Sequence, residues 1–280
     1  MISYYNHFTQ KFGIPNDRVK KTGNIVYVHL PYLPEALILF SDWGGEDLTF
    51  VCEGGDICLH LSNDGLMLLT GNTTQPFKQY KISEINPKIK KIFTTNLNFK
   101  HSLFSVLPAG HYTKNDLLSS IQKYKTEDKK LILCNFAPHT RGAAGYERKV
   151  ILDIIKSNPW ITFQDQGGGD GKDSKVMLQD LLSEINKHKF LICPISNGYD
   201  TSRIWESYAL GAIPVVRRFP FFNNLVDAGF PMVVLDNWND LSGIEEYLKG
   251  YPIDEKLRTL SISNLLLEDY WLDKIQDKYV

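Results

Sequence analysis

The 280-residue chain is short of the features that mark several protein classes. It has four cysteines (Cys52, Cys58, Cys134 and Cys193), none in a C-x-x-C pair, so neither a disulfide framework nor a zinc knuckle is expected. It has no excess of either charge: Lys+Arg 31 against Asp+Glu 32 gives a net charge of -1. Without basic excess there is little to neutralise a phosphate backbone, which argues against nucleic acid as a partner. No apolar run approaches the ~18 residues of a membrane helix, so no membrane insertion is expected. The start, Met1-Ile2-Ser3-Tyr4-Tyr5-Asn6-His7, has neither the basic nor the apolar segment of a signal peptide. No two aspartates are separated by a single residue, so the Asp-x-Asp metal motif is missing. Repeats and low-complexity tracts are also missing. What remains is 43% apolar and 12% aromatic, enough for a sizeable core, and the length suggests two domains.

The two halves have different grammar. From about Lys129, short apolar segments alternate with helical periods: Leu131 to Phe136, Trp160 to Phe163, Phe190 to Cys193, Ile213 to Val216 and Pro231 to Leu235 read as strands. Helices are predicted at Tyr146 to Ser157, Val176 to Lys187, Ser202 to Leu210 and Phe222 to Ala228. Near-continuous apolar strands separated by helices imply a parallel sheet covered on both faces, a Rossmann-like domain. In the first 110 residues Asn24 to Leu30, Ala36 to Ser41, Leu48 to Val51, Leu66 to Thr70 and Lys91 to Asn96 read as strands or buried segments, giving a second α/β domain. Pro108-Ala109-Gly110 marks the boundary, and Leu257 to Asp277 reads as one amphipathic helix. The expected division is 1–110, 127–256 and a terminal helix in 257–280 that packs back across the junction.

Ligands of open parallel sheets bind beyond the carboxyl ends of the strands. Gly167-Gly168-Gly169-Asp170-Gly171-Lys172 occupies such a place but matches neither the dinucleotide fingerprint nor the Walker pattern, and reads as a surface loop. The loop Pro194 to Arg203 is more informative. The first-turn N–H groups of Thr201, Ser202 and Arg203 form an anion site, with Asp200 or Thr201 as N-cap. Arg203 and Glu206 share a helix face, offering a guanidinium for phosphate and a carboxylate for ribose hydroxyls; the alternative is an ordinary surface ion pair. Arg141, in the loop after the first strand, and Arg148, at the start of the next helix, point to the same edge. A cation near a helix N-terminus opposes the macrodipole unless an anion arrives.

Phe190-Leu191-Ile192-Cys193-Pro194, Asn197-Gly198, Arg203, Glu206 and Gly211-Ala212-Ile213-Pro214-Val215-Val216 together resemble the exostosin-like glycosyltransferases of glycosyltransferase family 47. Phe136 to Ile151, with Arg148, is similar to an upstream element of that family, and Asp42-Trp43-Gly44 to a short motif of its plant members. The resemblance covers residues 130–220. It implies a GT-B fold, two Rossmann-like domains facing across a cleft, and an inverting hexosyl- or pentosyltransferase that carries sugar from a UDP-sugar to a hydroxyl of an oligosaccharide acceptor, with UDP-xylose slightly favoured. Donor contacts are then expected from Arg141, Arg148, Asn197, Gly198, Thr201, Ser202, Arg203 and Glu206. Without Asp-x-Asp, arginines and a helix N-terminus are expected to do the electrostatic work of a metal, so no cofactor is expected. The chain lacks the anchor and stem of eukaryotic members and is short like the stand-alone forms of large DNA viruses and bacteria, which implies a soluble cytoplasmic protein. A retaining GT-B transferase, or an inactive nucleotide-sugar or glycan-binding module, is the alternative.

The base that takes the acceptor proton is expected on a cleft-facing loop of the N-terminal half. Asp42, following the apolar segment Ala36 to Ser41, is the first candidate, with Glu46 and Asp47 beside it and Asp56 and His29 as further alternatives.

Overall fold

The computed structural model describes residues 19–54, 57–63, 65–70, 80–110, 128–137, 142–165, 174–266 and 268–276. The fold is mixed α/β, built on two five-stranded sheets and one small antiparallel sheet.

The first sheet contains β1 (Val19–Thr22), β2 (Ile25–His29), β3 (Leu48–Glu53), β7 (Ile89–Thr94) and β8 (Phe104–Val106), in the order β1-β2-β3-β7-β8. β1 is an antiparallel edge and the other four are parallel. Between β3 and β7 the chain makes the small sheet β4 (Ile57–Ser62), β5 (Gly65–Thr70) and β6 (Tyr80–Lys81). β2 connects to β3 through helix α1 (Leu33–Leu39). This is a correction: Ala36 to Ser41 reads as a strand but is the second half of a crossover helix and its end. A short apolar run does not itself distinguish a buried strand from a buried helix. The informative residue is Pro34, which lies in the first helical turn, where a missing N–H costs nothing.

The second sheet is wholly parallel, in the order β10-β9-β11-β12-β13: β9 (Lys130–Phe136), β10 (Ile161–Asp165), β11 (His188–Ile192), β12 (Ile213–Arg217) and β13 (Val233–Leu235). Its connections carry α2 (Gly142–Ile155), α3 (Ser174–Asn186), α4 (Ser202–Ala209) and α5 (Pro220–Asp227). Period-two alternation sorts the strand residues onto two buried faces. Leu133 and Leu191 join one cluster, while Ile132, Cys134, Phe190 and Ile192 join the other. Both faces are therefore covered, as a parallel sheet requires. Gly211 takes φ +70 just beyond α4, and Ala212 N–H returns to Ser207 O at 2.8 Å, closing the helix before β12.

The chain ends in α6 (Glu245–Lys249), α7 (Ile253–Ile262) and α8 (Glu268–Ile275). The single terminal helix expected over Leu257 to Asp277 is thus broken, with Asn264 at φ +58 in the turn. Trp271 of α8 stacks on Phe230, and its indole N–H donates to Leu265 O. No helix among the described residues is long and apolar enough to cross a membrane.

Loops at the carboxyl edges of the two five-stranded sheets meet. Asp200 N–H, after β11, donates to Asn96 Oδ1, after β7, at 2.7 Å, and Asp200 Oδ2 accepts from Ala109 N–H, after β8, at 2.6 Å. Asn98 Nδ2 donates to Tyr199 Oη, and Asn98 Oδ1 accepts from Phe221 N–H, both at 3.3 Å. The Asn224 amide donates to Leu97 O and Phe99 O at 2.9 Å each.

Candidate functional site

A cavity of about 200 Å³ opens where β9 and β11 end and α4 begins. Its walls are Asn135, Phe136 and Ala137 from the end of β9, Arg148 from α2, Pro194 and Ser196 after β11, and Thr201, Ser202 and Arg203 at the start of α4. Four of the expected donor residues, Arg148, Thr201, Ser202 and Arg203, therefore line one space. Arg141 lies outside the described residues, as does Asp56.

The two guanidiniums are unlike ordinary surface arginines. Arg148 sits in the second turn of α2, not the first, and donates from Nη1 to Ala137 O at 3.0 Å while stacking over the Phe136 ring. Burial lowers its pKa first, and the charge of Arg203 lowers it further, so the two cations stand close in a poorly hydrated place. Such a pair is held at a cost that an arriving dianion removes. The Arg203 guanidinium also pairs with Glu206 on the next turn. Glu206 is buried, which removes the surface-ion-pair alternative, and it stands behind Arg203, outside the cavity wall. Two polar atoms of the wall, Asn135 Oδ1 and Thr201 Oγ1, are buried without a hydrogen-bond partner. Thr201 is at the N-cap of α4, yet its hydroxyl does not cap the helix. Asp200 does not cap either, because its carboxylate accepts from Ala109 N–H and from Trp205 Nε1.

Asn197 and Gly198 are not on the cavity wall. Gly198 packs on the Asn96 side chain, where an added Cβ would come within 3.0 Å of Oδ1, so its small size serves the contact between loops. Sequence reasoning missed Asn135, whose signal was a lone amide in an otherwise apolar strand, and the ion pair of buried Glu147 with Arg217 at the end of β12. Arg217 also covers the Phe219 ring, with 4.2 Å to its centroid.

The expected base candidates are elsewhere. Asp42, Glu46 and Asp47 are exposed and lie in the turn between α1 and the start of β3. Had Ala36 to Ser41 been a strand, Asp42 would stand at a carboxyl edge. A crossover helix instead returns the chain to the amino edge of the parallel sheet, opposite the meeting loops. The turn is held structurally: Asn86 Nδ2 donates to the carbonyls of Phe40, Ser41 and Trp43, and Trp43 Nε1 donates to Glu46 O. Glu46 pairs with Lys21, whose hydrogen bond lowers its pKa, and Asp47 lies near Lys88 and Lys90.

A larger groove of about 670 Å³ runs beside β7 and β8, floored by Phe93, Phe104 and Trp271 and rimmed by Lys91, Lys100 and Lys274. It lies away from the carboxyl edge of the second sheet and holds no arginine, so the smaller cavity is the better anion site.

No family model matches the chain. It is 22% identical over 153 residues to ribitol-5-phosphate xylosyltransferase 1 of Mus musculus, a stretch that is 47% of this chain and 33% of the mouse protein. The chain thus matches about a third of the length of that relative, and the similarity supports a glycosyltransferase-like relationship at that level.

Proposed function

We propose that the chain is an inverting, metal-independent UDP-sugar glycosyltransferase acting on a hydroxyl of an oligosaccharide acceptor. The observation that carries this is the close pair of arginines, Arg148 and Arg203, beside the N-terminus of α4 at the carboxyl edge of a parallel sheet. That arrangement suits a diphosphate: two guanidiniums supply charge-assisted hydrogen bonds, and the helix end adds N–H donors and a favourable dipole. The negative charge that develops on departing UDP is stabilised by the same groups. Asn135 Oδ1 and Thr201 Oγ1 offer polar contacts to the rest of the nucleotide sugar. A mainly parallel and a wholly parallel sheet whose carboxyl-edge loops meet are compatible with a GT-B arrangement, in which the acceptor approaches from the first sheet. The run from Phe190 to Val216 supports the finer, exostosin-like reading, and the distant likeness to a xylosyltransferase supports UDP-xylose as the first donor to try.

The test is calorimetric titration of UDP, with UDP release from UDP-xylose, UDP-galactose, UDP-glucuronate and UDP-arabinose measured alongside. Wild type is expected to bind UDP and release it slowly from at least one donor, with inverted product stereochemistry. Arg203→Ala is expected to weaken UDP by about 1.5–3 kcal/mol, the range for a charged hydrogen bond. UDP affinity equal to wild type in both Arg148→Ala and Arg203→Ala would sink the reading.

A further inference from the structure

An inverting transfer needs a base, and the amino-edge carboxylates Asp42, Glu46 and Asp47 are on the wrong side of the first sheet to provide it. Its carboxyl edge carries another constellation. His29 ends β2 and Glu53 ends β3, and the parallel register pairs these two residues directly. Paired residues of neighbouring parallel strands stand about 4.8 Å apart and present their side chains to one face. Tyr27, two residues before His29 and so on that face, donates its hydroxyl to Glu53 Oε2 at 3.0 Å. Tyr27 is 1% exposed and Glu53 7%, whereas His29 is exposed. A buried, oriented carboxylate therefore stands beside an accessible imidazole.

The same edge meets the loop that leads into the donor cavity. Gly54, next after Glu53, donates its N–H to Thr95 Oγ1 at 3.3 Å, and Asn96 beside Thr95 accepts from Asp200, the neighbour of Thr201 in the cavity wall. Glu53 lies close enough to Asp200 for its charge to raise the Asp200 pKa. β2 is two strand spacings, about 10 Å, from the end of β7.

We propose that His29 is the general base of the transfer and that Glu53 is its positioning residue. This rests on the transferase reading above. The proton of the acceptor hydroxyl passes to one ring nitrogen of neutral His29, while Glu53 accepts from the N–H of the other and Tyr27 fixes the carboxylate. The acceptor oxygen bonds to the anomeric carbon as that carbon's bond to the diphosphate oxygen breaks, and the electron pair leaves with UDP. The proton on His29 then returns to solvent. Among the described residues the titratable groups near the imidazole are Glu53, its register partner on β3, Tyr27, which bonds Glu53 on the same face, and Tyr32, whose ring centroid is 6.0 Å away.

The experiment uses water as acceptor, with UDP release from the four donors named above followed against pH. His29→Asn and His29→Gln are expected to keep wild-type melting temperatures and UDP affinity and to slow release by roughly 10²–10⁴-fold. Glu53→Gln is expected to move the acid limb of the profile to lower pH, because loss of the neighbouring carboxylate makes the imidazole easier to deprotonate. Added imidazole is expected to restore release in His29→Ala. Wild-type release rates in His29→Asn, or an unmoved acid limb in Glu53→Gln, would overturn the proposal. Absence of release from any donor by wild type removes the transferase reading instead, which separates the two failures.

Discussion

The side chains of the cavity differ in what each can lose. Glu206 is buried with its charge directed to Arg203, so removing it strips the guanidinium of a partner as well as weakening the site. Breaking a buried pair costs about 3–5 kcal/mol, and the partial exposure of Arg203 reduces this. Glu206→Gln is therefore expected to lower stability by about 2 kcal/mol and UDP affinity by roughly tenfold, read by denaturant unfolding and calorimetry on one preparation. Loss of affinity without loss of stability would mean that Glu206 touches the nucleotide directly. Arg148 and Arg203 carry a second expectation. Two cations and a helix N-terminus already supply the positive field that a divalent ion supplies elsewhere, so release of UDP from donor is expected to persist in excess EDTA. Loss of turnover under EDTA, restored by manganese, would contradict this.

At the scale of elements, one misread helix moved a whole set of candidate residues. The turn from Asp42 to Asp47 is held by Asn86, whose amide meets three carbonyls while its Oδ1 accepts from Lys88 N–H at 2.9 Å. Asn86→Ala is expected to cost about 2 kcal/mol, since it removes the donor to Ser41 O and Trp43 O and leaves Phe40 O with Trp43 N–H alone, and to leave UDP affinity unchanged. A change in UDP affinity would tie this turn to the site after all. The second sheet was legible because its short apolar runs, closed by turn residues, alternate with helical periods at regular spacing, the pattern of a parallel sheet buried on both faces. The helix start at Thr201 to Arg203 was legible for the same reason, being the connection after such a strand. The first half was harder. Leu33-Pro34-Glu35-Ala36-Leu37-Ile38-Leu39 is seven residues long, too short for periodicity to separate helix from strand, and 54% and 70% exposure of Ile38 and Leu39 blurs any apolar face. His29 and Glu53 lie 24 positions apart and become neighbours only through strand register, which the sequence does not state.

For the molecule as a whole, the apolar core runs from one sheet to the other, and the hydrogen bonds across their contact come largely from amides and one acid. Asn96, Asn98 and Asn224 each reach across it, and Asp200 accepts from both sides, from Ala109 N–H and from Trp205 Nε1. Burial raises the Asp200 pKa to about 7, despite these two hydrogen bonds, which oppose the shift, and Glu53 adds to it. The folded value is therefore above the unfolded one, and the sign of the linkage follows. Below about pH 4 the acid is protonated in both states and its contribution to stability is complete. As pH rises toward 7 the unfolded chain releases the proton first, so stability falls, by on the order of a few kcal/mol in all. Above the folded value the contribution is lost and no longer changes. Asp200→Asn removes the titration and leaves one donor facing an amide N–H, a fixed defect at every pH. The difference in melting temperature between wild type and Asp200→Asn is thus expected to shrink from pH 5 to pH 8, measured by scanning calorimetry in matched ionic strength. A difference that stays constant, or grows, would mean that Asp200 is ionised across this range and that the contact is held by a carboxylate rather than by a neutral acid.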